Sequence, residues 1–325
     1  DIREANTQGR MKEILEAFQD IRDYSRICFC SDDRRCNVTE DLGHMDYMIK
    51  KAVALGMPVE DALLAASYHV AQEANLPQLG AIAPGYAADM VLLNDTTNLQ
   101  VQAVFCEGKP VCKGQKLLKP IEISAYTKQL EKKNTVRMTP FHMSDFMIKA
   151  EGPFSKLNII SFESEYTSTS YLKTRVCMVH NGNVQLNRKH KQLYLAVFNR
   201  YNQKQRAVCI VEKFGIDHGA VASSISHDSH NICVVYDTFE NGLLAVTQIQ
   251  EMHGGFCAVE HGHVIAAMPL PVAGLMTSAA AAEAAEQVNT MAAAYRRLGN
   301  TFLENPVSRI TIMNLLVCPY CKLSD

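Results

Sequence analysis

The sequence lacks the features that would draw a chain to nucleic acid or into a bilayer. Lys+Arg number 32 against Asp+Glu 34, a net charge of -2, so no excess of one sign attracts a polyanion or an acidic lipid surface. Long apolar runs are missing too. The longest uncharged stretch, between His263 and Glu283, holds Pro269, Pro271 and Gly274 among small residues, a poor membrane span. The N-terminal DIREANTQGRMKEIL is charged where a secretory leader has its apolar region. Cysteines number 11, an odd count scattered through apolar segments, which argues against a secreted disulfide framework and for a cytoplasmic protein. Neither GxxxxGK[ST] nor GxGxxG is present to cradle phosphates. None of the 11 histidines is followed two places on by Glu, which excludes the small zinc-deaminase signature.

What is present suits a globular protein. The 325 residues are 47% hydrophobic and 20% charged, enough for about two domains at ~150 residues each. Met11, Ile14, Leu15, Phe18 and Ile21 recur at helical spacing, which predicts a helix over about 7–23. Ile27-Cys28-Phe29-Cys30 reads as a buried strand, ending at Ser31-Asp32-Asp33-Arg34. Helices are expected over about 44–55 and 58–74, then strands at 90–93, 101–106 and 111–112. The polar stretch from about 115 to 155 reads as a linker into a second unit. There, strands are expected at 193–198, 207–211, 232–235, 256–259 and 264–268, with helices at 242–252 and 279–298. Strands with interspersed helices and no regular βαβ period indicate α+β.

Four clusters invite a chemical reading. Ser31-Asp32-Asp33 follows a buried strand, where α/β and barrel enzymes place catalytic groups, although aspartates also serve there as turn formers. Ser226-His227-Asp228-Ser229-His230-Asn231 gathers polar groups before a strand, fit for acid–base or metal work or for simple loop hydrogen bonding. His261-Gly262-His263 has the spacing of a metal pair but sits at an expected hairpin turn and reads as incidental. Cys318-Pro319-Tyr320-Cys321 has no second CxxC and no redox-fold context, and reads likewise.

Two strings resemble the amidohydrolase superfamily. Phe29-Cys30-Ser31-Asp32-Asp33-Arg34 with Gly43-His44-Met45-Asp46 is similar to the end of its last barrel strand. Gly80-Ala-Ile-Ala-Pro84-Gly85-Tyr86-Ala87-Ala88-Asp89-Met90-Val91 is similar to its return into a small β-sandwich. Gly219 to Asn231, Gly254-Gly255-Phe256 and Pro269 to Met276 resemble, more narrowly, the C-terminal domain of the adenine deaminase family. The resemblance implies a mixed α/β and α+β chain. Residues 1–76 would hold the C-terminal end of a metal-dependent-hydrolase (β/α)8 barrel and 77–120 part of the β-sandwich. A linker would follow at 121–140, and an α+β C-terminal domain at 141–325.

It further implies that a metal-bound hydroxide attacks C6 of adenine, releasing ammonia and leaving hypoxanthine. Asp32 would ligate a divalent metal pair (manganese or iron, or zinc) and shuttle the proton. Ser31, Asp33, His227, Asp228, His230 and Asn231 stand near substrate or behind the site; the last four either close over it or hold their domain together. The other ligands belong to barrel segments absent from this sequence, so the expected partners are adenine, the missing N-terminal barrel segment and further copies in a homo-oligomer. This chain alone is expected to be inactive. Two alternatives stay open, another amidohydrolase acting on a cyclic amide or amino sugar, and a non-catalytic purine-binding or assembly module.

Overall fold

A computed structural model describes residues 1–5, 9–18, 20, 22–114, 116–163, 169–301, 307–318 and 320–325. Ile21 and Pro319, on which two of the readings above drew, lie outside the described residues. The chain divides into two compact units, Asp1–Glu122 and Ile123–Asp325.

The first unit opens with β1 (Ile2–Arg3), α1 (Met11–Phe18) and β2 (Phe29–Cys30). The two strands run parallel, Ile2 opposite Phe29 and Arg3 opposite Cys30. The sequence led us to expect only one strand here; β1 has two residues, too few to leave an apolar period. Four helices follow, α2 (Cys36–Leu42), α3 (Met45–Ala54), α4 (Val59–Ala65) and α5 (Tyr68–Glu73). Met11 and Leu15 of α1, Met48 and Ala52 of α3, and Ala62 and Ala65 of α4 bury their apolar faces with Ile2, Ile27 and Phe29. Where one helix was expected over 58–74, the chain breaks at Ser67. Its hydroxyl donates to the Leu63 carbonyl at 2.6 Å, a local bond that competes with the helical ladder. No closed barrel is formed by the described residues, whose parallel sheet here has 2 strands.

An antiparallel meander completes this unit, β3 (Met90–Leu93), β4 (Val101–Cys106), β5 (Lys109–Lys113) and β6 (Lys116–Leu117). Its entrance is tied by hydrogen bonds at Asp89, whose Oδ1 accepts from the Glu107 amide at 2.7 Å, and at Ala88, whose carbonyl accepts from Gly108 at 2.8 Å. The Gly80–Val91 string is thus turn chemistry.

The second unit begins earlier than the expected linker allows. Helix α6 (Ala125–Glu131) forms inside it, capped by the Ser124 hydroxyl, and Val136 is buried in the core beyond. The main sheet has 9 strands: β7 (Phe154–Phe162), β8 (Ser170–His180), β9 (Asn183–Val184), β10 (Gln192–Phe198), β11 (Arg206–Glu212), β12 (Ala220–Ser223), β13 (Ile232–Tyr236), β14 (Gly255–Glu260) and β15 (His263–Pro269). Their order is β15-β14-β12-β13-β10-β11-β7-β8-β9, antiparallel except at β11–β7. Helices α7 (Phe239–Glu251), α8 (Ala281–Arg297) and α9 (Ser308–Thr311) cover it. Leu193, Leu195 and Val197 of β10 enter the core that holds Met291 and Tyr295 of α8. Tyr194, Ala196 and Phe198 enter the core that holds Ala245, Val246 and Ile249 of α7. Covered on both faces, β10 reads as a continuous apolar run.

Candidate functional site

Asp32 stands just past the end of β2, beside the end of the parallel strand β1. Arg3, the last residue of β1, reaches across: its Nε hydrogen-bonds Asp32 Oδ2, and its Nη2 lies 3.2 Å from Asp33 Oδ1. The strand pairing that puts Arg3 opposite Cys30 therefore sets the carboxylate's orientation. The Asp32 side chain is 51% exposed, and its Oδ1 has no hydrogen-bond partner among the described residues. Arg34 is turned away from the carboxylates; its Nε donates to the Gly43 carbonyl at 2.9 Å and its guanidinium lies 4.3 Å from the Tyr47 ring centroid. Ser31 is partly exposed next to Asp32.

One acidic residue escaped the sequence reading. Glu4, directly after β1, is buried, pairs with Lys51 of α3 and accepts the Met11 amide at 3.2 Å. It anchors the start of α1, where a carboxylate also suits the helix dipole. Cys28, Glu73 and Asp1 bring ligand atoms within 4.8 Å of one another. Burial, then the Glu73 carboxylate, pushes the Cys28 thiol up to about 11, which keeps it protonated and a poor metal ligand.

The His227–Asn231 loop lies in the second unit and is knitted into it. The His227 amide donates to the Thr311 carbonyl at 2.9 Å, and the His230 amide to Ser226 at 2.6 Å. Asn314 receives the Ser226 hydroxyl and donates to Ser229 Oγ at 3.1 Å. Asn231 is buried and accepts the Arg200 amide at 3.4 Å, while Tyr201 donates its hydroxyl to Ser229 at 2.6 Å. The His227 and His230 rings meet edge-on, 5.3 Å between centroids. Burial, then the neighbouring His227 and Arg200, lowers the His230 pKa against the opposing pull of Asp228, which favours neutral imidazole. No third metal-ligating side chain joins the pair among the described residues.

At the hairpin between β14 and β15, Glu260 accepts from Arg297 Nε at 2.8 Å and meets His218 Nε2 at 3.0 Å, with His261 beside them. The two arms of this cluster lie far apart in sequence, so no local motif announces it. Of the terminal cysteines, Cys321 packs on the core, its amide donates to the Ser170 carbonyl at 3.2 Å, and burial raises its thiol pKa.

Comparison with known proteins matches the two units separately. Residues 167–325 match the adenine deaminase C-terminal domain, and residues 10–111 match the amidohydrolase family. Over its whole length the chain is 33% identical to an adenine deaminase of Desulforamulus reducens, of which it covers 55%. Ninety-nine per cent of it aligns at 30% identity with an adenine deaminase of Desulfitobacterium hafniense, again covering 55%, and all of it at 31% with one from Escherichia coli, covering 54%. The chain spans about half the length of the curated relatives it matches.

Proposed function

From the matches to the adenine deaminase C-terminal domain and to the amidohydrolase family, we propose that the chain is part of an adenine deaminase, an enzyme converting adenine to hypoxanthine and ammonia. The observation that carries this is the match of residues 167–325, because it is to the C-terminal domain of adenine deaminase, whereas the match of residues 10–111 is to amidohydrolases at large. Hydrolysis needs a nucleophile at C6 and a proton for the leaving amine. We assign to Asp32 a part in both. Its Oδ1 is free of hydrogen-bond partners among the described residues, while Arg3 steadies Oδ2. An unpaired carboxylate oxygen at a strand end fits a divalent ion, manganese or iron first and zinc next, though one carboxylate supplies a single ligand of the several a metal pair requires. When bound, such an ion lowers the pKa of water so that a nucleophile is available near neutral pH. With Oδ1 given to the ion, Oδ2 of Asp32, oriented by Arg3, would be the atom that holds the proton on its way to the departing amine. Ser31 and Asp33 flank it as candidate contacts for polar edges of the purine. His227, Asp228, His230 and Asn231 hold the loop of the C-terminal domain, and the extensive hydrogen bonding there favours that role over direct chemistry.

We place the reaction in purine salvage in the cytoplasm, carried out by a homo-oligomer whose barrel is completed by the upstream segment. No helix among the described residues is long and apolar enough to cross a membrane. The test is ammonia release from adenine in the presence of Mn²⁺, with an intact mass recorded on the same sample. Activity should appear where a longer or second chain is present and fall about 10²–10⁴-fold on Asp32→Asn. Silence from the enzyme with its barrel complete would overturn the adenine assignment, and activity from this chain alone would overturn the assignment of the missing ligands to other segments.

A further inference from the structure

The β14–β15 hairpin gathers three side chains that the reaction above leaves unused. Glu260 ends β14, His261 occupies the turn, and His218 precedes β12, the strand paired with β14. One ligand atom from each lies within 4.8 Å of the other two. The imidazoles of His218 and His261 stack with centroids 5.9 Å apart and planes 23° from parallel.

Each of the three is held in place by something else. Ala220 pairs with Val259, and Gly219 approaches so closely that an added Cβ would sit 2.4 Å from the Val259 carbonyl oxygen. That contact fixes His218 beside Glu260. The turn is fixed from below: Gly262 donates its amide to Asn241 Oδ1 at 2.9 Å, and buried Asn241 donates to Asp237 Oδ1 at 2.8 Å. Glu260 is kept ionised, its pKa lowered chiefly by hydrogen bonding from Arg297 and then from His218. Arg297 Nε takes Oε2, and Oε1 faces His218. An outer donor on one carboxylate oxygen with the other turned to a ligand is the usual support of a metal-bound carboxylate. An ion pair with Arg297 and His218 alone would leave the second imidazole without a role. The site is also reachable, with the His218 side chain 38% exposed and His261 exposed.

We infer that His218, Glu260 and His261 form a binding site for a divalent transition metal of the zinc class, with water completing the coordination. Imidazole and carboxylate donors suit zinc, cobalt and nickel, and three protein ligands with an open position are a common zinc arrangement. His263, two places on from His261, is not a member; the pair suggested by His261-Gly262-His263 is replaced by one that spans two strands. A bound ion would clip the start of β12 to the end of β14 and stabilise the folded chain in proportion to its occupancy.

The test is a Co²⁺ titration of the chelator-treated full chain, followed by visible absorption and by thermal melting. One ion per chain should bind, with d–d bands, without the charge-transfer band of thiolate ligation, and with a saturable rise in Tm that Zn²⁺ reproduces. His218→Ala and His261→Ala should each weaken binding by about 100-fold or more. His263→Ala, and Cys318→Ser with Cys321→Ser, should leave it unchanged, and apo melting of the exposed His261→Ala variant should match the parent. Absence of saturable binding, or binding that survives both histidine substitutions or carries the thiolate band, would overturn the inference. Deaminase activity plays no part in the readout, so failure here leaves that assignment standing.

Discussion

Two carboxylates mark the range of environments this chain gives to acids. Asp32 is half exposed at a strand end, with one oxygen steadied by Arg3. Glu212 is buried at the end of β11, held by Arg175 Nε at 3.0 Å, Arg175 Nη2 at 3.1 Å and Gln192 at 3.0 Å. Burial by itself would raise the Glu212 pKa, but these hydrogen bonds and the guanidinium charge overcome it and hold the group below its ordinary value. A depressed folded-state pKa means the stabilisation is present above the unfolded value of about 4.3 and is lost as pH falls through the lower folded one. Arg175→Ala strands the buried charge and should cost about 3–5 kcal/mol at neutral pH. The loss should begin to shrink above pH ~4.3, where the stranded carboxylate, raised by burial once Arg175 is gone, takes up its proton, and should close as pH falls to the lowered folded-state value of the parent. Urea unfolding across that range measures both effects. The place of Asp32 just past a strand was legible because a buried apolar run leads directly into it. His218 and Glu260 were not, since only the sheet brings residues 42 positions apart into contact.

Strands were legible when both their faces are buried. Residues 193–198 and 232–235 are apolar throughout and were readable as β10 and β13. The 11 residues of β8 alternate between partly buried and exposed, with Lys, Thr and Arg among them, and left no such run. The short α2 was likewise missed, since none of its residues is buried and it therefore has no apolar stripe. Turns, by contrast, are written in glycine. At Gly255, φ is +136° and a Cβ would stand 2.0 Å from the Met268 carbonyl oxygen across the β14–β15 pair. Gly262 shares the positive φ, at +76°, but a Cβ there meets nothing within 4 Å. Gly262→Ala should therefore cost about 1–2 kcal/mol of backbone strain, whereas Gly255→Ala must also push strands apart and should exceed it. Paired thermal melts of the two variants test the order; equal losses would contradict the steric account.

At the scale of the whole chain, the two units are joined in sequence through a segment of exposed side chains. Leu118 and Ile121 are 51% and 81% exposed. Limited proteolysis should cut first within 118–124 and release a persistent fragment beginning near Ile123, identifiable by intact mass. Early cleavage inside β10 to β14 would contradict this division. That the chain has two parts was visible in its change of pattern, but not where the second begins. The polar 121–140 segment conceals α6 and the buried Val136, which contribute too few apolar residues to announce a core.

The strand β10 has a consequence for how such a chain can diverge. Leu193, Leu195 and Val197 answer to one helix layer, and Tyr194, Ala196 and Phe198 to the other. Neighbours in sequence are therefore strangers in packing, while alternate residues share a fate. Odd and even positions can drift as two separate vocabularies, each kept in agreement with its own layer. A sequence sharing only about a third of its residues with this chain could in this way still fit the sheet described here.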